Sequence, residues 1–212
     1  MRAAKKLGMW ASSLLFGGGG AYAVIVAFGI WSYGLDRPIG DPLLAVMEIL
    51  TLLMAPLIIV MMAAVHTCAS AEKKTTTLVA LAFAVLLAGI TTCVHFVELT
   101  ALRQLGPAQL VWPSPLYAAE LLAWDVFLGL SLIFAASAFR GDRLRDGVRR
   151  LMYVCGTMCV FGVVGPVTGH MQFQFIAVAG YGLVFPAVCL FLALFFRREL
   201  LSQASSTDAG GL

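Results

Sequence analysis

The stretch Leu78-Val79-Ala80-Leu81-Ala82-Phe83-Ala84-Val85-Leu86-Leu87-Ala88-Gly89 carries no polar side chain. A transmembrane strand alternates apolar and polar residues, and a soluble amphipathic helix keeps one polar face, so a run apolar on every face belongs in a lipid-buried helix. Followed outward, the segment extends from Thr77 to Leu102, enough to cross a hydrocarbon core of ~30 Å at ~1.5 Å per residue. Five further runs have this character: Leu7 to Tyr33, Leu43 to Val65, Leu116 to Phe139, Leu151 to Gly169 and Phe173 to Phe196.

The chain has 212 residues, of which 61% are hydrophobic and 12% charged, and its mean hydropathy is +0.94. A soluble domain carries about 25% charged residues. The expected fold is therefore an all-α integral membrane bundle of six transmembrane helices over residues 1–201, followed by a disordered tail over 202–212 rich in Ser, Ala and Gly. With 14 Lys and Arg against 11 Asp and Glu, net charge does not mark a nucleic-acid binder.

Orientation follows from the basic residues, because Lys and Arg are retained on the cytoplasmic side. Arg2, Lys5, Lys6, Lys73, Lys74, Arg140, Arg143, Arg145, Arg149, Arg150, Arg197 and Arg198 fall on the side of the N-terminus, and only Arg37 and Arg103 lie opposite. Both termini are expected in the cytoplasm of a multi-pass protein of the cell membrane, on this pattern a bacterial inner membrane. Trp31, Tyr33, Trp112 and Tyr117 sit near the outer ends, where an interfacial aromatic belt belongs. The first run imitates a secretory signal ending at Ala21-Tyr22-Ala23, but Gly17 to Gly20 dilute its core and apolarity continues to Trp31, so it reads as an uncleaved span.

Connections are short, which places any function inside the bundle. The longest outer one, Arg103 to Pro115, contains Pro107, Pro113 and Pro115 and is expected to lie as a cap. The loop holding Arg140, Arg143, Arg145, Arg149 and Arg150 is suited to anionic lipid headgroups. Cys68, Cys93, Cys155, Cys159 and Cys189 fall within or at the ends of spans and read as packing residues rather than disulfides. Gly17 to Gly20, Pro56, Gly165-Pro166 and Pro186 interrupt the runs, and the glycines suit close helix packing.

Four acids, Glu48, Glu98, Glu120 and Asp125, lie within spans. An ionised carboxylate near the bilayer centre costs at least ~2.5 to 3.5 kcal/mol, so each needs water, a partner or a proton. Counted from the outer ends, the three glutamates lie ~6 to 8 Å deep, and Asp125 and His95 ~12 to 14 Å. This predicts an upper ring of Glu48, Glu98 and Glu120 above a His95 to Asp125 pair. Thr91, His95 and Glu98 share one helical face. Glu120 and Asp125 are five apart, about 140° around an α-helix, and should not point at the same spot.

The reading these residues favour is an outward-facing carboxylate and histidine pocket, formed by Asp125, His95, Glu98, Glu48 and Glu120, that binds a cation or a polar or cationic small molecule, with proton coupling. Two alternatives stay open. One is a noncatalytic subunit or scaffold of a membrane complex or homo-oligomer, its buried acids acting as interhelical glue. The other is a membrane-embedded enzyme with a divalent metal on His95, Glu98, Glu48 and His170. No H-E-x-x-H, paired E-x-x-H or G-x-S-x-G motif supports catalysis, and His95 and His170 differ in depth too much for bis-histidine haem, so no cofactor beyond a divalent metal is expected.

Overall fold

A computed structural model describes the chain except residues 35, 36, 38, 106–111 and 210–212, and except the side chains of 105 and 204–209. The described residues form helices and no strands. Six helices are long and apolar enough to cross a membrane: α1 (Arg2–Tyr33), α2 (Leu43–Cys68), α3 (Ala71–Leu102), α4 (Pro115–Ala136), α5 (Arg143–Thr168) and α6 (Met171–Gln203). Each coincides with one of the six expected spans.

Every helix packs on its neighbours in sequence, and α1 also packs along α6, which closes the bundle into a ring. The start of α1, the α2/α3 and α4/α5 turns and the end of α6 gather at one end, called here the terminal end. There the Lys5 ammonium meets Glu199 at 3.1 Å, Lys74 donates to the carbonyls of His66 and Thr67, and Ser137 donates to Thr76 at 3.1 Å. At the far end Arg103 binds Asp41 at 2.6 Å, and the Tyr33 hydroxyl donates to the Asp41 carbonyl.

Leu87, Leu128, Leu132, Met152, Val188, Leu192 and Phe196 fill the interior, while Leu53, Phe175 and Leu183 stand exposed on the outer faces. A helix apolar both inside and out is stable where water is absent from both sides. Close backbone approach sets the packing. A Cβ on Gly156 would come within 2.7 Å of the Gly129 carbonyl oxygen, and one on Gly162 within 2.3 Å of Ala177, so small residues let α5 lie against α4 and α6. The four glycines of α1 leave that helix continuous. Gly18 faces Met54 and Gly19 faces Pro186, whereas Gly17 and Gly20 have open space beside them.

Pro56 sits inside an unbroken α2. Helix α5 is interrupted at Val163, three residues before Pro166, and ends at Gly169 with a left-handed φ of +75°. The helix begun in α6 continues to Ala209, beyond Ser202, where the sequence suggests a tail. Leu200, Leu201, Gln203 and Ala204 are good helix formers, and no glycine or proline intervenes before Gly210. Pro107 of the expected cap and Asp36 of the first outer loop lie outside the described residues.

Three helices widen into π-helical winding in the half of the bundle towards the far end: α3 over Glu98–Leu102, α4 over Leu122–Leu128 and α6 over Gly180–Val184. Such widening is rare and marks functional positions more often than chance. Each segment holds or adjoins a polar side chain of the interior.

Candidate functional site

His95 stands in the last α-helical turn of α3, and Glu98 opens the π-helical segment that follows. The imidazole is bound on both sides. Its Nδ1 hydrogen-bonds to Glu48 Oε2 from α2 and lies 3.1 Å from Glu98 Oε2, while its Nε2 lies 2.9 Å from Glu120 Oε1 of α4. The indole Nε1 of Trp124, one turn along α4, donates to the same Glu120 oxygen. Glu48 and Glu98 are 5% and 7% exposed, so this polar group is enclosed by the bundle.

The upper ring of three glutamates expected from the sequence is thus assembled, and His95 sits among its members rather than in a layer beneath. Two long glutamate side chains and an imidazole bridge the one-turn difference in backbone height. Thr91, on the same face of α3, is buried, and among the described residues neither its hydroxyl nor the buried second oxygen of Glu120 has a hydrogen-bond partner. Tyr22 of α1 lies within electrostatic reach of all three glutamates.

Asp125 does not pair with His95. It is fully buried, and its Oδ1 accepts from Gln174 Nε2 of α6 at 3.0 Å. Glu120 already faces the imidazole, so a residue five positions later turns towards a different neighbour. Among the described residues, neither its other oxygen, Oδ2, nor Gln174 Oε1 has a hydrogen-bond partner. His170 stands exposed in the α5/α6 turn, where its backbone N–H meets the Thr168 hydroxyl, and it is not part of the cluster. A metal set that includes His170 is therefore not assembled.

Trp124 and Gln174 were not among the sequence candidates. Trp124 carried a signal, since it follows Glu120 by four residues on a helix and can reach it. Gln174 carried a weaker one, being a lone amide near the start of an apolar run.

Chemically, the group separates into two shells around His95. Ligand atoms of Glu48, His95 and Glu98 all lie within 4.8 Å of one another, close enough to converge on one ion. With an ion held at Nδ1 beside Glu48 and Glu98, Nε2 would carry the proton given to Glu120. This is the carboxylate–histidine arrangement that fixes a metal-ligating imidazole in one tautomer and orientation. Trp124 in turn holds Glu120.

The arginine loop is built differently. Asp142 caps the N-terminus of α5 by accepting from the backbone N–H groups of Leu144 and Arg145, and it accepts from both terminal nitrogens of Arg198. Arg145 binds Glu199 at 2.8 Å and lies over the Phe195 ring, so it is engaged inside the protein. Arg140, Arg143, Arg149 and Arg150 make no ion pair among the described residues.

Comparison with known protein families, with curated proteins and with solved structures finds no match to this chain.

Proposed function

We propose that this is an integral membrane protein, oriented with both termini in the cytoplasm, that binds a divalent cation at Glu48, His95 and Glu98 in the outer half of the bundle. Glu120 and Trp124 orient the imidazole. One observation carries the reading: three carboxylates from three helices surround a single imidazole inside an apolar bundle. One imidazolium offsets at most one of three negative charges, and the remainder must be met by protons or by a cation. Two carboxylates and a neutral imidazole balance one divalent ion. Binding then displaces protons, which is the coupling a proton-exchanging carrier uses. The oxygen-rich, single-nitrogen donor set suits Mn²⁺, Fe²⁺ or Zn²⁺ rather than a thiophilic ion.

Titration of the purified full-length protein in detergent with Mn²⁺ and Zn²⁺ tests this. The expected result is one equivalent bound, with affinity falling as pH falls and dropping at least tenfold in Glu48→Gln and in Glu98→Gln. A second reading draws on the fact that the four side chains already bond to one another: the cluster then clamps α2, α3 and α4 together as part of a noncatalytic subunit. Folded protein that takes up neither metal at millimolar concentration would select the clamp.

A further inference from the structure

The stretch from Arg140 to Arg150 holds five arginines and two aspartates, and the fold pairs only part of them. Asp142 is taken up by Arg198, and Arg145 by Glu199 and the Phe195 ring. Arg140, Arg143, Arg149 and Arg150 make no ion pair among the described residues, and neither does Asp146. Four positive charges therefore stand against one negative at this corner of the terminal end. Arg143 and Arg150 are exposed and seven residues apart, so they share one face of the α-helix that runs unbroken from Arg143 to Gly162. Val154 and Phe161 continue the same face eleven and eighteen residues after Arg143, 51% and 49% exposed. One outer stripe of α5 thus bears positive charge at the terminal end and hydrocarbon beyond it. From Arg150 to Phe161 the helix rises ~16 Å, about the depth of one leaflet in a hydrocarbon core of ~30 Å.

We infer that this stripe holds one anionic phospholipid of the leaflet at the terminal end, its phosphate between Arg143 and Arg150 and an acyl chain along Val154 and Phe161. Two helical turns, ~10 Å, separate the two arginines, a gap that their long side chains close. Guanidinium groups donate to phosphate oxygens in parallel pairs, which suits them to this headgroup. A soluble acidic partner would meet the arginines and leave the apolar continuation of the same face without a role. The lipid site rests on the membrane insertion proposed above and not on the cation site, because the Glu48, His95 and Glu98 group lies towards the far end of the bundle.

The test releases the full-length protein from nanodiscs of equal parts phosphatidylglycerol and phosphatidylcholine with identical acyl chains, and counts the retained lipids by native mass spectrometry. A basic residue beside an anionic lipid contributes about a fivefold preference, so phosphatidylglycerol is expected to be retained at least about fivefold over phosphatidylcholine. In the double variant Arg143→Gln, Arg150→Gln the ratio should fall below about twofold on the same basis. Lys73→Gln, which removes a charge of the same end at the α2/α3 turn, should leave it unchanged. Glycerol 3-phosphate at millimolar concentration, which offers the headgroup without the chains, should not displace the lipid. Displacement would mean a site for the anion alone and overturn the inference. Equal retention of the two lipids would overturn it too and assign the arginines to a soluble acidic partner, and so would a preference that persists in the double variant or is lost as fully in Lys73→Gln. If the double variant does not fold, the thermal transition of the unaltered protein in detergent decides: phosphatidylglycerol should raise it more than phosphatidylcholine, and equal shifts count against the site. Retention of neither lipid would overturn the membrane insertion along with it.

Discussion

Charge is arranged in opposite ways at the terminal end and around His95. At the terminal end, Lys5 and Arg145 converge on Glu199, and Arg198 on Asp142, so every acid in the network has at least one full positive partner. Around His95, three acids converge on a group that can carry one positive charge. The first arrangement is complete as it stands and ties α1, α5 and α6 together. The second is short of positive charge within a region far less exposed than Asp142 and Arg198, and the deficit is met by protons or, in the function proposed above, by a cation.

The largest effect should come from His95→Ala. Removing the one basic group leaves buried carboxylates facing one another, and breaking a buried ionic group costs about 3 to 5 kcal/mol. Unfolding in mixed micelles should show that loss, and adding Glu48→Gln should recover part of it by removing one like charge. A His95→Ala variant as stable as the parent would mean that the three carboxylates are not held as charged groups around the imidazole.

Trp124→Phe keeps the ring and removes the donor to Glu120. Leaving a buried acceptor short of a partner costs about 1 to 3 kcal/mol, and loss of an orienting group typically lowers metal affinity 10- to 100-fold. Calorimetric titration of the metal should show the affinity loss with Mn²⁺. Glu199→Gln should lower stability, because the Lys5 ammonium, only 5% exposed, loses its charged partner, and should leave Mn²⁺ affinity unchanged. If Glu199→Gln weakens metal binding as much as Trp124→Phe does, the two regions are not separate.

The smallest effect concerns pH at the terminal end. The Arg198 guanidinium, together with the backbone N–H groups of Arg145 and Leu144, holds the Asp142 carboxyl well below the usual aspartate range. A carboxyl lowered by folding contributes stability that is present above its unfolded value of about 3.9 and is lost as pH falls through the folded value. Between pH 8 and pH 5 the Asp142 contribution should therefore stay constant, while metal affinity at His95 declines. Carboxyl ¹³C shifts should show Asp142 titrating well below 3.9; a midpoint at the ordinary value would mean that the Arg198 contact is not maintained.

Six helices and their order were legible in the sequence because apolar length is written residue by residue, as in Leu78 to Gly89. The gathering of Glu48, Glu98 and Glu120 was legible from depth along each helix. The partner of Asp125 was not. Depth placed His95 beside it, but direction around the helix decides contact, and that depends on which neighbour α4 presents each face to. The charge pairing of Arg145 with Glu199 was equally hidden, since it joins the start of α5 to the end of α6 across 54 positions of sequence.

The π-helical winding of α4 has a consequence for how the site is encoded. Pro115–Leu121, which carries Glu120, is joined to Gly129–Ala136, which is anchored through Gly129 against α5, by the seven wide-wound residues Leu122–Leu128. Each residue of an α-helix turns the chain by about 100°. Because a π-helical turn takes more residues than an α-helical one, the seven residues Leu122–Leu128 rotate the chain about as far as six α-helical residues would, so deleting one of them and restoring ordinary winding would keep Glu120 facing His95. The wide winding thus carries one extra residue between the two halves of α4 without turning that carboxylate away from the imidazole.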